Sequence, residues 1–88
     1  RHAPAYSVPL DVAISNDAGV LGRICTVIGE QKANISDLKF MERKPDFYRL
    51  LIDVDLRDVE HFHMVMTALE AETDVAQVGR VRNVTRKP

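Results

Sequence analysis

The chain has 88 residues, 45% of them apolar, and its 13 acidic and 12 basic side chains leave a formal net charge of -1. That balance excludes the strong positive field of a dedicated phosphate-binding surface, and no apolar run approaches the ~20 residues of a membrane span. A single cysteine, Cys25, excludes an internal disulfide and cannot by itself build a structural zinc site.

In chain order, residues 1–6 read as a linker remnant, 7–84 as one folded domain and 85–88 as a C-terminal tail. Alternating Val8, Leu10, Val12 and Ile14 predict a first strand over 7–15. Asn16-Asp17-Ala18-Gly19 then forms an Asx-rich turn, where Gly19 lets backbone approach a small molecule without a Cβ in the way. A helix over 20–32 follows, with Val20, Leu21, Ile24, Val27 and Ile28 on one face and Asn34 as the left-handed residue that ends it. Its first free N–H groups attract anionic groups such as a carboxylate.

A second strand is predicted over 35–42, a polar turn at Arg43-Lys44-Pro45-Asp46, and a third strand over 47–56 that alternates Tyr48, Leu50, Ile52, Val54 and Leu56. Asp58 is the candidate N-cap of a second helix reaching 72, with Val59, Phe62, Val65, Met66 and Leu69 inward. Val75, Val78, Val81 and Val84 mark a last strand over 75–84. The order βαββαβ predicts an α+β, ferredoxin-like sandwich: a four-stranded antiparallel sheet with both helices on one face. Many unrelated functions share that fold, so it names no activity.

The residues do more. Asn16-Asp17-Ala18-Gly19-Val20-Leu21, the Val27-Ile28-Gly29 to Asn34-Ile35-Ser36-Asp37-Leu38 junction and the Asp53-Val54-Asp55-Leu56-Arg57-Asp58 stretch resemble an ACT domain. More narrowly, Val12 to Val81 is similar to the C-terminal ACT domain of long RelA/SpoT-type (p)ppGpp synthetase/hydrolases. One departure is Ala18, where many ACT domains carry proline, which removes a preset φ from the loop. The resemblance implies a regulatory module, spanning 7–84, that binds an amino acid at a homodimer interface and uses no further cofactor.

Two surfaces carry over: Asn16, Asp17, Ala18, Gly19, Val20 and Leu21 of the first loop, and Asn34, Ile35, Ser36, Asp37 and Leu38 of the partner's second strand. Their chemistry suits a zwitterion. Backbone N–H groups of Gly19 to Leu21 can take the carboxylate, Asp17 or Asp37 the ammonium, and Asn16 and Asn34 offer donors and acceptors. Val20, Ile35 and Leu38 give aliphatic walls, which favour valine, isoleucine or leucine; such walls separate the three by only ~1 to 3 kcal/mol per methylene. The implied partners are this small molecule, a second copy of the chain and the catalytic region of a longer parent, with ribosome contact permitted, no membrane, and a cytoplasmic location. The effect expected is to favour (p)ppGpp hydrolysis, because plentiful amino acid signals the opposite of starvation.

Other chemistry reads as structural. His61 and His63 point ~200° apart on a helix and share no ligand face, so both are expected in solvent. Cys25, on the apolar stripe of the first helix, is expected to be a buried thiol. No nucleophile with its base and no phosphate-binding glycine loop occurs, so no catalysis is expected in this domain. Two alternatives remain. An RNA-recognition motif shares the topology and could use Arg80, Arg82, Arg86 and Lys87, although only Phe47 and Tyr48 are available for stacking. A ligand-free dimerisation module needs no more than an edge strand and apolar surface.

Overall fold

The computed structural model describes residues 6–81. It contains β1 (Tyr6–Ser15), α1 (Val20–Glu30), β2 (Asn34–Arg43), β3 (Phe47–Leu56), α2 (Val59–Glu70) and β4 (Val75–Arg80), in the predicted order. The strands form one antiparallel sheet in the order β2-β3-β1-β4. Tyr6, expected in the linker, belongs to β1 and pairs with Leu56. Val81 follows β4 and donates its N–H to the Pro9 carbonyl at 2.9 Å, while Arg82, Val84, Arg86 and Lys87 lie outside the described residues.

The core comes from period-two alternation in the two central strands. Val8, Leu10 and Val12 lie beside Val54, Ile52 and Leu50, all fully buried. Val20, Ile24, Val27 and Ile28 of α1 and Val65 and Leu69 of α2 close over them in one cluster, which puts both helices on the same face. Each fully buried aliphatic side chain contributes about 1.5 to 3 kcal/mol relative to exposure. Among the described residues, no helix is long and apolar enough to cross a membrane.

Three local expectations are corrected. The left-handed residue after α1 is Lys32, at φ 65°, and Asn34 already lies in β2. The Lys32 N–H donates to Gly29 and the Ala33 N–H to Ile28, at 2.9 and 3.3 Å, and Ala33 is buried with Ile28. This double closure is a Schellman motif, whose hydrogen bonds and apolar contact offset the strain of a non-glycine residue there. Cys25 is half-buried rather than enclosed, being at the margin of the α1 stripe.

The third correction concerns α2. Val59 is 64% exposed, and His61 is buried at 1% exposure instead of solvated. The inward stripe is centred on the i, i+4 series His61, Val65 and Leu69, with Phe62 and Met66 at its margin and Val59 rotated out of it. Asp58 caps the helix as expected, its Oδ1 accepting the His61 N–H at 2.8 Å. His61 Nδ1 accepts the Arg57 N–H at 3.1 Å. The ring thus acts like the glutamate of a capping box, one residue further back. Its Nε2 lies 2.6 Å from the Gln31 carbonyl at the C-cap of α1, so a neutral ring protonated at Nε2 satisfies both partners. One side chain therefore joins the end of α1 to the start of α2.

Replacing His61 by alanine leaves both partners unsatisfied beside a cavity, and His61→Ala is expected to lower unfolding free energy by about 2 to 4 kcal/mol. Urea denaturation measures this; a loss under about 0.5 kcal/mol, the range of an ordinary surface site, would contradict the buried bridge.

Candidate ligand-binding site

The loop after β1 is fixed by turns on both sides. The Ser15 N–H donates to Asp74 at 2.9 Å and the Asn16 N–H to Asp46 at 3.2 Å. The Asn16 carboxamide Nδ2 donates to the Lys44 and Pro45 carbonyls at 3.3 and 3.1 Å, bracing the loop against the β2–β3 turn. Its donor group is thereby committed within the chain. The Val20 N–H donates to the Asp17 carbonyl at 3.2 Å, and the Gly19 carbonyl accepts the Arg23 N–H at 2.9 Å.

Gly19, the N-cap of α1, sits at φ 86°, and a Cβ built there would meet nothing within 4 Å. Conformation rather than space requires the glycine. Asp17 and Ala18 are exposed, Val20 is buried and Leu21 half-buried against the core. The N–H groups of Leu21 and Gly22 have no backbone acceptor among the described residues, which leaves an open first turn that can donate to an anion.

A cavity of about 390 Å³ opens beside this loop, lined by Ala18, Gly19, Val20, Arg23, Glu72, Thr73 and Asp74. Arg23 grips Glu72 with two bonds, Nε to Oε1 at 2.9 Å and a terminal nitrogen to Oε2 at 3.2 Å. Hydrogen bonding to Glu72, then its charge, raises the Arg23 pKa; the bond from Arg23 lowers that of Glu72. Sequence reasoning missed Arg23, Glu72 and Asp74, because the contact joins residues 49 positions apart and no short motif carries it.

Asn34, Ile35, Ser36, Asp37 and Leu38 lie on the edge strand β2. Ile35 and Leu38 pair with Val54 and Ile52 and pack on the helix side, whereas Ser36 falls at a register shift. Asp37 is exposed, with its carboxylate 3.9 Å from the Lys39 ammonium. The sequence reading also missed Asp55 as the centre of a polar cluster: its carboxylate accepts Ser7 Oγ–H at 2.6 Å and Asn34 Nδ2–H at 3.0 Å. These two bonds, the one from Ser7 foremost, hold the Asp55 pKa below its ordinary value.

The two predicted surfaces do not meet within one chain. Asn34 pairs with Asp55, and Asp55 with Ser7 at the start of β1, whereas the Gly19 loop leaves the other end of β1. At about 3.3 Å per residue, the nine steps from Ser7 to Asn16 span ~30 Å.

The helix-free face gives little support for base stacking. Tyr48 faces the helices, edge-on to Phe40 with ring centroids 5.3 Å apart. Phe47 is on the other face beside Ser15. There Arg49 is taken up by Asp11 at 3.1 Å and Glu42 at 3.6 Å. Among the described residues, no group of three or more His, Cys, Asp or Glu could hold a metal ion.

The sequence pattern of the ACT domain matches residues 2–80. The chain belongs to the ACT-domain family. It is similar to the GTP pyrophosphokinase Rsh of Brucella suis, 29% identical over 76 residues that cover 86% of this chain and 10% of that protein. The chain thus spans about a tenth of the length of the curated relatives it matches. The fold is similar to the crystal structure of the ACT domain from a Chlorobium tepidum GTP pyrophosphokinase, with a TM-score of 0.74, 16% identity, and 86% and 97% of the two chains covered. It is also similar to the acetolactate synthase small subunit of Thermotoga maritima, with a TM-score of 0.74, 18% identity, and coverage of 85% and 47%. The ACT domain is a regulatory module.

Two outcomes test the ACT loop and edge. Gly19→Ala forces a Cβ into left-handed backbone and is expected to cost about 1 to 2 kcal/mol in urea denaturation; no loss would contradict the conformation. The lowered Asp55 pKa contributes stability that is present above the unfolded-state value of about 3.9 and lost as pH falls through the folded-state value. Stability measured from about pH 5 to pH 2 is expected to fall less steeply in Asp55→Asn than in the unmodified chain. Parallel curves would contradict the hydrogen-bonded carboxylate.

Proposed function

We propose that this ACT domain binds a branched-chain amino acid at a homodimer interface and regulates a longer (p)ppGpp synthetase/hydrolase. The observation that carries this reading is the separation of the two surfaces, combined with the brace from Asn16 to the Lys44–Pro45 turn. That brace puts the Gly19 loop at the same end of the sheet as Arg43, the last residue of β2. If β2 of two copies pairs antiparallel about a two-fold axis, Asn34 to Leu38 of one copy comes to the loop end of the other. An edge strand with unpaired backbone groups supports such pairing.

The open N–H groups at Leu21 and Gly22 suit the ligand carboxylate, and Val20 with the partner's Ile35 and Leu38 suits a branched aliphatic side chain. Asp17 and Asp37 remain exposed carboxylates within reach of an ammonium by this arrangement, while Asn16 and Asn34 serve to hold the two surfaces in shape. A ligand bound across two copies changes the relative stability of their arrangements, and that difference alone can be transmitted to a catalytic region. The direction we propose favours hydrolysis of (p)ppGpp when amino acid is plentiful.

Calorimetric titration with valine, isoleucine and leucine is expected to show saturable heat, and bound ligand to raise the melting temperature by mass action. Sedimentation is expected to show a dimer. No heat and no thermal shift with all three amino acids, in a chain that still dimerises, would leave a ligand-free dimerisation module.

A further inference from the structure

β4 forms the edge of the sheet opposite β2, and over residues 75–79 its side chains are uncharged. The Val81 N–H donates to Pro9 of β1, so by alternation the backbone N–H and C=O groups of Val78 and Arg80 point the other way, along the outer edge. Among the described residues no strand pairs with them. Neutral side chains leave such an edge open to a further strand, where charges would discourage one.

Both faces beside this edge are shaped to take side chains. On the helix side, Val59, Phe62 and Met66 form one stripe of α2 at i, i+3 and i+7, and the Arg80 guanidinium, 5.9 Å from the Phe62 ring centroid, shows that this stripe adjoins β4. Val59 is exposed and Phe62, Met66 and Val78 are only half-buried, so apolar surface continues past β4. On the helix-free side a hollow of about 300 Å³ opens where Gly79 has no side chain, lined also by Asp11, Arg49 and Gln77. Asp11 and Glu42 pair with Arg49, which leaves the hollow polar without a strong net charge.

We propose that β4 is the docking edge for an extended segment of a partner polypeptide, added antiparallel. On the helix side that segment carries a carboxylate opposite Arg80 and then apolar residues opposite Val78 and along the α2 stripe; its intervening side chains are small and polar and enter the Gly79 hollow. Strand addition takes its affinity from main-chain bonds and its specificity from alternate side chains. Charge selects this occupant. Both terminal segments of the chain itself are basic, with Arg1 and His2 in one and Arg82, Arg86 and Lys87 in the other, which opposes either of them beside Arg80. With β2 paired as proposed above, a second copy at β4 would extend the sheet from both edges into an open-ended ribbon rather than a closed assembly.

The probe is an end-blocked peptide, Thr-Glu-Thr-Val-Thr-Val-Thr, compared with Thr-Lys-Thr-Val-Thr-Val-Thr. Amide hydrogen exchange of the 88-residue chain, followed by NMR, is expected to slow at Val78 and Arg80 when the glutamate peptide is added, because those N–H groups gain acceptors. Chemical-shift titration is expected to show the glutamate peptide binding on the order of fivefold more tightly than the lysine peptide. Arg80→Glu, at an exposed position, is expected to reverse that order, with thermal melting to confirm that the variant is folded. Equal binding of the two peptides, no slowing at Val78 and Arg80, or slowing along β2 instead would overturn the proposal. Slowing that follows the concentration of the chain alone would also overturn it, giving the edge to a second copy. Should Arg80→Glu not fold, Arg80→Gln is expected to bind the two peptides alike and serves in its place.

Discussion

The two-sided pairing of β1 is the constraint on which the rest of the structure depends. Bonded to β3 along one edge and to β4 along the other, with Val8, Leu10, Val12 and Ile14 buried beneath both helices, β1 cannot slip by one residue without turning its apolar set to solvent. The loop that follows is therefore delivered to a fixed place, between the β2–β3 turn and the start of β4. Asn16 and Ser15 fasten it there, one to each neighbour. Gly19 can then hold its positive φ, and the first turn of α1 opens at the end of the sheet.

That same geometry separates the loop from the beginning of β2. Of the two surfaces that resemble an ACT amino-acid site, one leaves the end of β1 and the other runs from the opposite end of the sheet at Asn34 to its middle at Leu38, level with Leu10 and about 20 Å from Asn16. No side-chain motion within one chain spans such a gap. The proposed second copy, paired at the β2 edge, would span it by symmetry, so the proposed binding requires a homodimer rather than merely accompanying one. Stability and recognition divide between residues accordingly: Asn16 and Asn34 are drawn into holding turns and strands, while backbone N–H groups and exposed charges remain for a ligand.

Much of the fold is legible in the sequence because burial imposes simple periods. Val8 to Ile14 and Tyr48 to Leu56 alternate as strands with one covered face, and the Asp58 cap marks the start of α2. The sequence is a weaker guide where two periods or two roles compete. Val59 looks inward by type, yet the stripe through His61, Val65 and Leu69 leaves it in water. His61 looks like a solvent residue by type, yet a carbonyl at the end of α1 and the N–H of Arg57 give it a buried place. Lys32 rather than Asn34 turns left-handed because the Schellman closure needs that position, whatever residue stands there. At the site, the Gly19 loop is readable because its residues are contiguous. Arg23 with Glu72, and Asp55 with Ser7 and Asn34, come from distant parts of the chain and only the folded sheet brings them together.

The central claim is that one ligand is held by two surfaces that a single chain keeps apart. Backbone amide chemical shifts followed by NMR during a valine titration test it most directly. Amides of residues 18–22 and of residues 34–38 are expected to shift together and saturate at the same valine concentration, although within one chain Leu38, level with Leu10, is about 20 Å along the sheet from Asn16 and Asn34 about 30 Å. Shifts confined to one surface, or titrating at different concentrations on the two, would contradict it.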